Sequence, residues 1–214
     1  MSPQHHPAEE FLLQYASGEA TEPFALLIAS HLATCAACRA AVAQAEAIGG
    51  ALLDSLPGGA ADAAAVEQGV AAVIARAARP QAVAAQPASR PGSPLGHYIR
   101  DLDSVAWRSL GPGIRHHVLA KDRHGGVARL LWIAPGRGVF EHSHDGNEMT
   151  LVLRGSYRSG GARFQAGDVE CADEAVTHQP VAETGETCIC LAVTDAPLRF
   201  GNLLGRMMQP FIRI

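Results

Sequence analysis

The sequence predicts two domains, an all-α bundle at the N-terminus and an all-β barrel at the C-terminus. Three observations carry this. Residues 1–79 are rich in alanine, with larger apolar residues at helical spacing and little sign of strand. Residues 80–96 have the composition of a linker, rich in proline and poor in large apolar side chains. From 97 to 214, short β-prone runs are separated by Gly, Asp, Asn and Pro, the pattern of a sandwich or small barrel.

In the first half, Phe11, Leu12, Tyr15 and Ala16 share one helix face, and Gly18 offers a stop. Residues 21–56 could run as one long helix, with Thr21 as N-cap, Pro23 in the first turn and Gly49-Gly50 as a break or loosened segment. A further helix is expected over 62–78. In the second half the expected strands are 113–120, 127–134, 147–157, 167–172, 178–183 and 187–194.

The chain has 214 residues, of which 48% are apolar and 18% charged, so a buried core is feasible and global disorder is not expected. No apolar run approaches a membrane span, and "MSPQHHPAEEF" lacks the basic start and apolar segment of a signal peptide, so a cytoplasmic location is expected. The five cysteines, Cys35, Cys38, Cys171, Cys188 and Cys190, do not form a secreted disulfide framework. Residues 1–79 hold three basic residues (Arg39, Arg76, Arg79) against eight acidic ones, a net charge of −5. That balance argues against direct nucleic-acid binding, which needs a basic face. It suits either a domain that meets a basic protein or a surface kept acidic for solubility.

"ASHLATCAACRA", residues 29–40, places His31, Cys35 and Cys38 four and three residues apart. On a helix the three share a face, and His with two Cys is three quarters of a tetrahedral zinc site. The pair could instead be a redox dithiol, although a mid-helix position speaks against that, or all three could be buried small residues. A fourth ligand should come from another segment, and His5 and His6 are the candidates before residue 97.

"GRGVFEHSHDGNEMTLVLRG", residues 136–155, carries His142 and His144 on one side of a strand. Glu148 follows on the next strand after a turn. This run resembles the first motif of the cupin barrel, from Gly136 to Gly155. Cupins supply a last His from a later strand, and by that likeness it is His178, although a Pro-x-Gly turn before it and an Asn after it are both missing. Three His and one Glu suit Zn, Mn, Fe or Ni. Cys188 and Cys190 share one face of a strand and read first as core residues, second as redox-active thiols. His97, His116, His117 and His124 receive no role.

With both constellations in view, the chain resembles the zinc-binding anti-sigma factors, the ChrR subgroup in particular. The likeness lies in "HHPAEEFLLQYASGE", "LLIASHLATCAACRA", Asp173-Glu174 before His178, "CICLAVTDAPLRF" and "QPFIRI". It implies an N-terminal zinc held by His6, His31, Cys35 and Cys38, and a C-terminal cupin with a metal at His142, His144, Glu148 and His178. It also implies 1:1 sequestration of an extracytoplasmic-function sigma factor, released on oxidative stress by singlet oxygen or organic peroxide sensed through the cupin, with no direct contact to nucleic acid or membrane. The alternative is a metal-dependent cupin enzyme, a dioxygenase or isomerase, whose helical domain mediates assembly.

Overall fold

The computed structural model describes residues 2–57, 62–78, 94–196 and 198–200. Most of the expected linker and the "QPFIRI" end lie outside these. The described part has four helices followed by eleven strands.

Helix α1 (Glu9–Ser17) ends at Gly18 in the left-handed region, with φ 77°. The single helix expected over 21–56 is two helices, α2 (Glu22–Leu32) and α3 (Ala36–Ser55). The chain turns between them because the Thr34 and Cys35 amides both donate to the His31 carbonyl, and the Thr34 hydroxyl donates to it as well. Cys35 then leaves the helical region (φ −107°, ψ 106°) and becomes the N-cap of α3, its Sγ accepting from the Cys38 amide at 3.4 Å. The cysteine pair therefore opens a helix rather than lying inside one. Gly49-Gly50 does not break α3, which runs on to Ser55. Helix α4 (Ala63–Ala77) starts from Asp62, whose Oδ1 accepts from the Ala64 amide at 3.0 Å.

After a 3-10 turn at Pro94–His97 come β1 (Arg108–Gly111), β2 (Ile114–Lys121), β3 (Val127–Ile133), β4 (His142–His144), β5 (Glu148–Arg154) and β6 (Ser156–Ser159). The remainder are β7 (Ala162–Gln165), β8 (Val169–Ala172), β9 (Val181–Ala182), β10 (Cys188–Thr194) and β11 (Leu198–Phe200). Strands β1, β7 and β11 were not among those expected; each is four residues or fewer, too short for alternation to show. One antiparallel sheet has the order β1-β2-β3-β10-β5-β8, and smaller sheets β11-β4 and β7-β6-β9 complete the barrel.

The centre of the large sheet is buried on both faces, which is why β10 is apolar or small at nearly every position. Ala128, Leu130, Met149, Leu151, Leu191 and Val193 belong to a core shared with Phe24, Leu27, Ile28 and Leu32 of α2. By strand alternation, Arg129, Leu131, Ile133, Cys190, Ala192 and Thr194 line the barrel interior. The sheet is thus a wall with the helical bundle on one side and a cavity on the other.

Two candidate metal centres

The first centre gathers His6, His31, Cys35 and Cys38, whose ligand atoms all lie within 4.8 Å of one another. His31 Nε2 is 3.3 Å from Cys38 Sγ, and His6 Nδ1 is 3.4 Å from both Cys35 Sγ and Cys38 Sγ. Ligands on a tetrahedral zinc, with bonds of about 2.0 Å to N and 2.3 Å to S, stand about 3.5 Å apart, so this donor set fits such an ion. His31 Nδ1 donates to the Gly167 carbonyl at 2.8 Å, which leaves the Nε2 lone pair facing the thiols. Burial lowers the His31 pKa, partly offset by that hydrogen bond, and so favours the neutral ring that a metal needs. Burial and the adjacent Cys35 push the Cys38 thiol up to about 12, a proton that a bound cation would displace.

The structure brings His6, not His5, to this cluster. His5 turns away to pack against Phe164, the rings tilted with centroids 4.5 Å apart, and its Nε2 is 3.2 Å from the Arg163 carbonyl. The segment that carries both is fixed by the β half. Asp168 Oδ1 accepts from the Gln4 and His5 amides at 2.6 and 3.1 Å, and the Val169 amide donates to the His5 carbonyl at 3.1 Å. Gly167 permits the close approach: its φ is 96°, and a Cβ there would stand 3.1 Å from Pro3. Asp168 and Gly167 were not anticipated from sequence; an Asp after a turn glycine is too common to signal a distant partner.

The second centre gathers His142, His144, Glu148 and His178, all buried, again with ligand atoms within 4.8 Å. His142 and His144 come from β4, Glu148 from the start of β5, and His178 from a loop that pairs backbone to backbone with His142. The Nε2 atom of His178 lies 3.2 Å from Nε2 of both His142 and His144. His142 Nδ1 donates to the Phe140 carbonyl at 2.7 Å, and His178 Nδ1 donates to Glu170 Oε1 at 3.2 Å. Both Nε2 atoms of that pair then present lone pairs to one point, an arrangement a cation satisfies and a single proton does not.

Glu148 Oε2 stands 3.6 Å from His142 Nε2 and 3.4 Å from His144 Nδ1. Burial pushes the Glu148 carboxyl up, but the facing imidazoles of His142, His144 and His178 outweigh it and hold the pKa at about 2. Burial likewise opposes the charged form of His142, yet Glu148 raises its pKa overall. Glu170, unanticipated from sequence, is held low against burial by His178, Ser159 and Tyr157. Its signal was available in retrospect: Glu170 faces Thr150 across β8 and β5, an acidic residue inside an otherwise apolar strand.

Cys188 and Cys190 are buried, with their Sγ atoms 3.5 Å apart. His116 and His117 lie on β2, where the His117 ring reaches the Ala106 carbonyl, and His124 sits in the following turn. None of these joins either cluster.

Comparison with known proteins places this arrangement. Residues 96–197 match the ChrR cupin-like domain. The anti-sigma-E factor ChrR of Cereibacter sphaeroides is 43% identical over all of this chain and all of its own. The chain belongs to the ChrR family. A crystal structure of Rhodobacter sphaeroides SigE in complex with the anti-sigma ChrR matches this ChrR-family fold with a TM-score of 0.75. That match covers 90% of this chain and 99% of the other, at 38% identity. Both centres of this ChrR-family protein therefore sit in a chain that parallels a relative from end to end. Among the described residues no helix is long and apolar enough to cross a membrane.

Proposed function

We propose that this ChrR-family protein is a cytoplasmic anti-sigma factor. Residues 1–79 form the domain that sequesters an extracytoplasmic-function sigma factor at 1:1, residues 80–96 link it, and residues 97–214 form a cupin that registers oxidative stress and triggers release. The observation that carries the reading is the end-to-end relationship to the anti-sigma-E factor ChrR, at 43% identity over the whole chain.

The helical surface supports it. Ile48, Leu52, Leu53 and Leu56 at the end of α3 are exposed, as are Val66, Val70, Val73 and Ile74 along α4. Their spacing makes one apolar stripe on each helix. Helix α4 has no buried residue among those described. Apolar stripes left open in this way mark a protein-binding surface, and each such side chain, once covered, contributes roughly 1.5–3 kcal/mol before the cost of association. The acidic balance of the same domain suits a basic partner.

Zinc held by His6, His31, Cys35 and Cys38 would join the N-terminal segment to the α2–α3 corner, and so set the direction in which α3 leaves the core. The cupin ligands His142, His144, Glu148 and His178 would hold zinc, or Mn, Fe or Ni.

The test is copurification of the full chain with its sigma factor, with Cys35→Ala and Cys38→Ala beside the wild type. A 1:1 complex that both substitutions abolish is expected. Unchanged affinity in both variants overturns the zinc-dependent grip, and turnover of a small substrate without any sigma partner would favour an enzyme.

A further inference from the structure

The barrel interior holds a cavity of about 50 Å³, bounded by Arg129, Leu131, Ile133, Val139, Ala192 and the cupin cluster. Arg129 is the anomaly there. It is 4% exposed, and its Nη1 is buried with no hydrogen-bond partner among the described residues. A buried guanidinium nitrogen without a partner is costly, since its donors leave water while the charge remains. Glu148, which lines the same cavity, offsets part of that cost through space. Glu148 is turned to His142, His144 and the Thr150 hydroxyl, and makes no hydrogen bond to Arg129.

We infer that this cavity is a binding site for a short-chain carboxylate, held by Arg129 with its apolar end against Leu131, Ile133 and Ala192. A carboxylate matches the planar fork of a guanidinium with two parallel hydrogen bonds, and desolvation inside the barrel strengthens both. The walls select the rest of the ligand. They are mostly apolar, with Arg129, His142 and Glu148 among the few polar side chains, the usual make-up of a small-molecule pocket. The size limits its length: a cavity of about 50 Å³ holds a few heavy atoms, as in acetate or propionate, and not a fatty acid. The site stands on β3 and β10 and requires neither the sigma partner nor the identity of the cupin metal.

The experiment is a titration of the full-length protein with sodium acetate and sodium propionate, against sodium chloride and acetamide at matched concentrations. Melting is followed by tryptophan fluorescence, and metal content is measured in every sample. Saturable stabilisation by the carboxylates alone is expected, with nuclear Overhauser contacts from the ligand methyl to Leu131, Ile133 and Ala192. Arg129→Gln should weaken binding at least tenfold, and Arg129→Lys less. Ala192→Leu fills the cavity without touching the charge and should abolish binding while the fold survives, which keeps the test open if Arg129→Gln does not fold. No saturable shift in the wild type overturns the site. So does equal binding in Arg129→Gln at equal metal content, which would put the carboxylate on the metal alone. Sigma binding by Arg129→Gln is expected to persist, so failure of the pocket and failure of the proposed function read out separately.

Discussion

His31 Nδ1 donates a 2.8 Å hydrogen bond to the carbonyl of Gly167, so a candidate ligand of the helical half is oriented by a turn of the β half. The next residue, Asp168, holds the backbone before His6. Two residues further on, Glu170 holds His178 of the other centre. One short segment, residues 167–170, therefore touches both candidate metal sites.

Asp168→Ala should loosen the first centre. The Gln4 and His5 amides lose their acceptor, and the His6 segment gains freedom relative to Cys35 and Cys38. Zinc affinity there should fall by about 10- to 100-fold, the usual effect of losing an outer partner. Competition with a chromophoric chelator, read as two phases in the full-length protein, should show the fast phase accelerate and the slow one hold. Equal acceleration of both phases would indicate general unfolding instead.

Glu170→Gln addresses the second centre. The side chain keeps its size but loses the charge that orients His178 at 3.2 Å. Cupin metal occupancy should fall, with affinity lower by about 10- to 100-fold, while the N-terminal ion is retained. Elemental analysis of the purified variant checks this as one equivalent against two.

Leu27→Ala tests the shared core. Leu27 is fully buried in α2, in the cluster that includes Leu130 and Leu191 of the large sheet. The truncation should cost about 2–5 kcal/mol. Both tryptophans, Trp107 and Trp132, lie in the β half, and Trp107 packs against this same core while Trp132 does not, so their fluorescence reports the β half. Its melting temperature should fall. An unmoved tryptophan transition would mean that the helices and the barrel melt independently.

Val70→Glu and Ile74→Glu concern the open face of α4. Both side chains are more than half exposed, so folding stability should move by no more than about 0.5 kcal/mol. Sigma-factor affinity, by calorimetry, should drop at least tenfold. If binding is unchanged, the contact lies elsewhere on the bundle.

Much of this was legible in the residues. Alanine-rich helical periodicity against short β-runs gave the two-part fold, because helix and strand periods differ locally. The spacing of His31, Cys35 and Cys38, and of His142, His144 and Glu148, showed two sets of ligand-type side chains, because neighbours in sequence must be neighbours in space. The break between α2 and α3 was hidden. Alanine supports a helix through residue 33 as well as elsewhere, and the turn depends on Thr34 and Cys35 finding local hydrogen bonds.

The sequence by itself determined the helical and β halves and, by spacing, six of the eight residues in the two clusters, with His6 and His178 named by likeness, since each signal is local or carried by a motif. Only the tertiary structure turned His5 away to Phe164, set Asp168 and Glu170 behind the two clusters, and left Arg129 Nη1 at a cavity without a partner among the described residues. Those outcomes rest on contacts between residues as many as 164 positions apart, where no spacing rule reaches and only packing chooses the partner.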